Sequence, residues 1–233
     1  MKKINLVLTF TIILFSVITI HGQGIGNMQS EVRNNFFTRI NSTVDEKIKG
    51  SPYLNDTFTP ASISINGDSK VYNVRLNAYS DVIEIEDQEN KKFTIDKSIK
   101  DVTITFLKSG SVFELIDYLD NDNIDRAYFS HLSSKDSKIK LFKSSPVILV
   151  KYSQVSNGYS SPKPSTYKKS SDKFYIKKQG DGELAVRVPK NKKGIAKLFP
   201  EHQNAILKYI KSESIKTTKE EDLIKLIDYI NTL

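Results

Sequence analysis

The chain has 233 residues, a formal net charge of +8 and no cysteine. Without cysteine there is no disulfide, thiolate metal site or cysteine nucleophile, so stability must come from an ordinary hydrophobic core. Only five of the thirty-five basic residues are arginine, the side chain whose fixed fork phosphate and base readers favour, so the basic excess argues against a nucleic-acid partner.

The chain opens with Lys2 and Lys3, followed by an apolar run over Ile4–Ile20 and a return to polarity at His21, Gly22 and Gln23. That is the pattern of a secretory signal peptide over residues 1–22, cleaved after Gly22 by the small-residue rule. The run sits at the lower edge of the ~17–25 residues a spanning helix needs and lacks a positive stop-transfer flank. No later segment approaches that length, so no transmembrane span is expected after cleavage. Charge is uneven beyond this point: residues 50–130 carry eight basic and fourteen acidic side chains, residues 131–233 twenty-one basic and ten acidic. The basic excess reads as lysine dispersed over a solvated surface rather than as a polyanion site.

Residues 23–49 follow as an N-terminal helix. Val32, Phe36, Ile40 and Val44 fall on one stripe, and Gly50, Ser51 and Pro52 end it. From Ala61 to Val188 the period becomes two. Strands are expected at Ala61–Ile65, Lys70–Tyr79, Val82–Gln88, Lys92–Ile95, Val102–Phe106, Ser111–Tyr118, Asp125–Leu132, Lys138–Phe142 and Val147–Tyr152, with a last hairpin of Phe174–Lys177 and Glu183–Val188. Asn66-Gly67 is a strong hairpin signal, because both residues tolerate positive φ. The connections are too short for βαβ crossovers, so the sheet over residues 50–188 should be antiparallel. One connection is long: Ser153–Asp172, rich in Ser, Pro and Lys, reads as a strap or an unstructured loop, with Tyr159 and Tyr167 as candidate contact residues. Residues 189–233 read as helices packed on the same domain. Pro200 occupies a first helical position, Thr218-Lys219-Glu220-Glu221 has capping-box spacing, and Leu223, Ile224, Ile227 and Ile230 form a buried stripe. The fold class is therefore α+β: an antiparallel, curved meander or half-barrel with an N-terminal helix and a C-terminal helical segment.

Catalytic signatures are missing. There is no H-E-x-x-H, G-x-S-x-G, P-loop or G-x-G-x-x-G, and only His131 and His202 remain after signal cleavage. Asp120–Asp125 places two aspartates at calcium-loop spacing, but Ile124, Asp125 and His131 stand where a side-chain oxygen, a glycine and a bidentate glutamate are wanted. It reads better as a turn between strands. No catalytic, cofactor or metal residue is expected. The stretch Val71–Asp87 sets Arg75, Asn77, Glu84 and Glu86 among alternating apolar residues. A turn centred on Ser80-Asp81 pairs Leu76 with Ile85, Asn77 with Glu84 and Arg75 with Glu86, which makes these side chains the solvated face of a hairpin rather than a ligand site.

Four blocks, "GSPYLNDTF" (Gly50–Phe58), "VRLNAYSDVIEIE" (Val74–Glu86), "DKFYIKKQGDGELAVRVPKNKKGIAKLF" (Asp172–Phe199) and "TTKEEDLIKLIDYINTL" (Thr217–Leu233), resemble a family of secreted proteins of uncharacterised function from Bacteroidota. Leu76 intervenes where the family commonly has tyrosine, and Tyr229 is the one tyrosine of an ending where the family favours two. The resemblance implies an exported, β-rich protein with a helical tail and brings no catalytic residues. The helical ending is unlike the β-sandwich sorting domain of proteins sent beyond the outer membrane in those bacteria, which favours the periplasm over the medium. Three expectations follow. The first is a non-catalytic envelope protein, a binding or structural module whose partners are envelope components. The second is a periplasmic carrier of a lipid or other apolar ligand, which needs a large apolar pocket between sheet and helices. The third is an envelope hydrolase with paired carboxylates or a hidden triad.

Overall fold

The Asn66-Gly67 turn forms as the sequence requires: both residues have positive φ, 51° and 90°, and a two-residue loop of that type matches the twist of the strands it joins. The computed structural model describes residues 36–41, 48–151, 164–180 and 184–233. Among these residues there are thirteen strands, all but β1 and β11 from the period-two segments: β1 Phe37–Ile40, β2 Thr59–Ile65, β3 Asp68–Asn77, β4 Val82–Glu86, β5 Lys92–Ile95, β6 Val102–Phe106, β7 Val112–Asp120, β8 Asn123–His131, β9 Ile139–Ser144, β10 Val147–Val150, β11 Thr166–Lys169, β12 Lys173–Lys178 and β13 Val186–Arg187. Helices follow at α1 Lys192–Lys197, α2 Gln203–Ser212 and α3 Glu220–Ile230, with a 3-10 turn at Pro200–His202. Within Asp120–Asp125 the turn is only two residues long: Asn121 and Asp122 take φ of 44° and 68°, Asp120 pairs with Asn123 across them, and Ile124 and Asp125 already belong to β8.

Eleven strands form one antiparallel sheet in the order β1-β5-β4-β3-β2-β6-β7-β8-β9-β12-β13, and β10 and β11 form a separate ribbon. Phe37–Ile40 is a strand paired with β5. This corrects the helix expected over residues 23–49, whose remaining residues lie outside the described residues apart from the short stretches flanking them. The aromatic Phe37 finds its core partner, Tyr72, edge-on at 5.5 Å, and that burial decides for strand over helix. The signal peptide also lies outside the described residues.

Two apolar clusters meet at β7. The first draws side chains from β1 to β8, with Val74, Ile83, Ile85 and Ile104 wholly buried. The second gathers Ile116, Phe129, Phe142 and Tyr175 from β7, β8, β9 and β12, together with Ala185. The first half of β7 pairs with β6. The edge left free beyond it receives Ala185 through an isolated parallel bridge, Leu119 N–H donating to the Ala185 carbonyl at 2.9 Å. The sheet as a whole stays open.

The helices cover the other face of β9 and β12, where Leu141 and Ile176 meet Ile195, Ile206, Leu223 and Leu226. Consecutive residues of β9, Leu141 and Phe142, are thus buried on opposite sides, which is why these strands read as continuous apolar runs. Asn191 caps α1, accepting the Gly194 N–H at 2.7 Å. The capping box expected at Thr218 is not formed: the N-cap of α3 is Lys219, which makes no side-chain capping bond, and Glu220, Glu221 and Asp222 occupy the first turn, where carboxylates favour the positive end of the helix dipole. Asn231 closes the helix and docks it. Its amide accepts the Ile139 N–H at 2.9 Å and donates to the carbonyls of Ile139 and Ile227, both at 3.0 Å. Among the described residues no helix is long and apolar enough to cross a membrane.

Candidate functional site

The β3–β4 hairpin differs from its expected register by two residues. Arg75 faces Glu84, Leu76 faces Ile83 and Asn77 faces Val82. A shift of two preserves which face each side chain occupies, so the apolar half of the expectation stands. The turn is centred one residue earlier than expected, on Tyr79-Ser80 instead of Ser80-Asp81. The Asn77 side-chain oxygen accepts the N–H groups of Tyr79 at 3.2 Å and Ser80 at 3.1 Å, which draws Ala78–Asp81 into a four-residue loop.

The polar face is also not solvated. Chain segment 52–54 pairs along the free end of β3, with Leu54 N–H donating to the Leu76 carbonyl at 2.9 Å, and the following residues fold back over Arg75. The Glu84 side chain is 3% exposed and that of Arg75 11%. Arg75 Nε and Nη2 donate to Glu84 Oε2 at 2.9 and 2.7 Å, Nη2 donates to the Tyr53 hydroxyl at 2.6 Å, and Nη1 donates to the Asp56 carbonyl at 3.1 Å. Tyr53 in turn donates to Glu84 Oε1 at 3.2 Å. The guanidinium carbon lies 3.6 Å from the Tyr53 ring centre and 4.3 Å from that of Phe58. Arg75 and Glu84 are therefore brought together, with Asn77 at 3.5 Å from Glu84 Oε1, as an internal ion pair that clamps the 50–58 segment to the sheet. Glu86 is left out, half-buried opposite Asn73 and Lys92. The alternating pattern alone could not show the covering segment, although "GSPYLNDTF" supplies the ring, carbonyl and hydroxyl that complete the cluster.

Tyr159 lies outside the described residues. Tyr167 sits on β11, 5.1 Å ring to ring from Tyr79, and its carbonyl approaches Gly50, which has a φ of 79° and no room for a Cβ. Lys49 donates its backbone N–H to the Ser165 carbonyl at 3.0 Å and accepts the Tyr167 N–H at 2.8 Å. The segment expected to be a strap or an unstructured loop is thus a paired strand over Thr166–Lys169.

The ribbon, the hairpin tip and β8 surround a cleft of about 480 Å³. Its walls combine rings (Tyr79, Phe113, Tyr118, Tyr175) with hydroxyls (Ser80, Ser111, Ser130, Ser144, Ser145). At its base the Asp81 carboxylate accepts the Tyr128 N–H at 3.2 Å and pairs with Lys97. Burial of Asp81 pushes its pKa above the ordinary value, against the pull of Lys97. Asp81 also takes a positive φ of 52°. Sequence reading missed the cleft, because its residues come from six strands and the turns between them.

At the second cluster, period two places Glu114, His131, Lys140 and Lys177 beyond the aromatic rings. Glu114 is 2.7 Å from His131 Nδ1, and His131 Nε2 is 3.1 Å from the Ser133 hydroxyl. The order is that of a serine hydrolase relay. Ser133 Oγ, however, also accepts the Leu141 N–H at 3.0 Å. The described cavities do not have Ser133 in their linings. His131 stacks on Phe142 at 5.0 Å, and its side chain is 2% exposed. The chain of bonds ties β7, β8 and β9 together where the β8–β9 ladder ends. Burial works against ionisation of Glu114, but the hydrogen bond to His131 and the charges of His131, Lys140 and Lys177 leave its pKa below the ordinary value.

Among the described residues no group of three or more His, Cys, Asp or Glu is arranged to hold a metal ion. No family model, curated protein or solved structure matches this chain.

Proposed function

We propose that this chain is an exported, non-catalytic protein of the cell envelope that works as a binding module, and that its contact site is the cleft between the β3–β4 tip and β8. The observation that carries the reading is the character of that cleft. Aromatic rings beside a dense set of short hydroxyls suit a water-soluble, hydroxyl-rich ligand, with saccharides as the class, since sugar C–H faces pack on rings while hydroxyls exchange hydrogen bonds. Export rests on the signal-peptide pattern of residues 1–22. The carrier reading has less support, because Leu141, Ile176, Ile195, Ile206 and Leu223 fill the space between sheet and helices. The hydrolase reading draws on the Glu114–His131–Ser133 relay and stands second, since Ser133 is already engaged by Leu141.

The test is to isolate the mature protein from its native envelope and identify co-purifying molecules by mass spectrometry, alongside a Tyr79→Ala variant; Tyr79 is 47% exposed. The expected result is an N-terminus at Gln23 and a saccharide that is retained by the wild type and lost from the variant. A stoichiometric lipid, or a retained molecule indifferent to Tyr79, overturns the reading. Labelling of Ser133 by a fluorophosphonate would move the assignment to the hydrolase.

A further inference from the structure

A cavity of about 660 Å³ opens beside the second cluster. Lys140 and Lys177 line it and are directly opposite each other in the β9–β12 ladder. They alternate with Phe142 and Tyr175, so both project from the face that carries those rings. Like charges directly opposite on neighbouring strands are destabilising, and side chains with free choice would splay toward solvent. Here the two ammonium groups share a cavity with Lys100. Among the described residues, no carboxylate lies within ion-pair distance of Lys100, Lys140 or Lys177. Of the acidic residues in the lining, Glu114 and Asp117 have hydrogen-bonded partners of their own, and Asp101 is exposed. Asp117 is held by Arg126 through two hydrogen bonds, one of 2.8 Å and one to Nε of 2.5 Å, Glu114 is held by His131 at 2.7 Å, and Asp101 sits in the turn before β6 with a φ of 54°.

We infer that this cavity is an anion site, with Lys140 and Lys177 as its paired ligands and Lys100 as a third cation in its lining. The ligand chemistry is a compact oxyanion, the phosphate, sulfate or carboxylate group of a larger molecule, which relieves the repulsion between the two ammonium groups by sitting between them. Lysine suits this task as a mobile point charge with three donors. The site is separate from the saccharide cleft, although Arg126 borders both, and the inference stands without the cleft reading.

Isothermal titration of the mature protein with inorganic phosphate, sulfate and acetate, at low ionic strength, tests it. Lys140→Gln/Lys177→Gln is the diagnostic variant, with Lys168→Gln/Lys169→Gln on β11 as a charge-matched control. The expected result is saturable binding of at least one anion to wild type and control, weakened at least tenfold in the diagnostic variant. Which anion binds tightest identifies the group. Absence of saturable binding to wild type, or equal loss in variant and control, overturns the inference. Should the double variant fail to fold, Lys177→Gln alone carries the same comparison.

Discussion

Arg75→Met offers the sharpest test of the internal ion pair. The substitution keeps a long apolar stem but removes the guanidinium, so that Glu84, 3% exposed, loses its bidentate partner. Breaking a buried pair from one side typically costs about 3–5 kcal/mol, because the remaining charge stays desolvated. With a urea m-value of about 2 kcal/mol/M, the midpoint should fall by about 1.5–2.5 M. Glu84→Leu, which strands the cation instead, should cost about 3 kcal/mol. The double variant strands neither charge and should lose only about 1–2 kcal/mol, mainly the bond of the Tyr53 hydroxyl and the ring contacts of the guanidinium. The cycle should therefore show strong coupling, with the two single losses far exceeding the double. Urea melts of the four proteins at pH 7 supply all the terms. Additive losses, or a loss below about 1 kcal/mol for Arg75→Met, would refute the argument and return these residues to a solvated face.

Two further outcomes are expected. Asn231→Ala should cost about 2–3 kcal/mol and speed amide exchange at Ile139, since that residue loses a donor and an acceptor at once; unchanged exchange there would show that α3 is held by its apolar face alone. The pH profile of stability should carry two signs. Arg126 holds the Asp117 pKa down by its hydrogen bond, so Asp117 contributes stability that is present above its ordinary value of 3.8 and lost as pH falls below it. Burial holds the Asp81 pKa up, so protonation favours the folded state as pH falls through that raised value. Asp117→Asn should thus lower the urea midpoint at pH 7 more than at pH 3, and Asp81→Asn should be better tolerated, relative to wild type, at pH 7 than at pH 4. Matching profiles for the two variants would contradict this.

Local chemistry made the strands legible. Asn66-Gly67 fixed one hairpin, Asn121-Asp122 another, and period-two alternation located β5 and β6 to the residue. What escaped was decided by contacts distant in sequence. The stripe Val32-Phe36-Ile40 has helical spacing, yet Phe37 outside that stripe is the buried residue, and pairing with β5 overrides the local period. The turn at Ala78–Asp81 carries no glycine signal, because an asparagine side chain, that of Asn77, shapes it. The Arg75–Glu84 pairing was within reach of register reasoning. Its burial was not, since the cover comes from a segment about twenty residues upstream. For the cleft and the anion cavity, the sequence carried only faint hints: lysines spaced two residues from buried aromatics in "KIKLF" and "FYIKK".

The outermost strands of the eleven-stranded sheet have a consequence for solubility. The described edges are β1, four residues long, and β13, two residues long, whereas the interior β3 spans ten. An intruding strand therefore meets only a few unpaired backbone groups, too few to template edge-to-edge aggregation. The protection is asymmetric. Deleting Val186–Arg187 would uncover β12, six residues long, and leave Lys173, Lys177 and Lys178 as its gatekeepers against self-association.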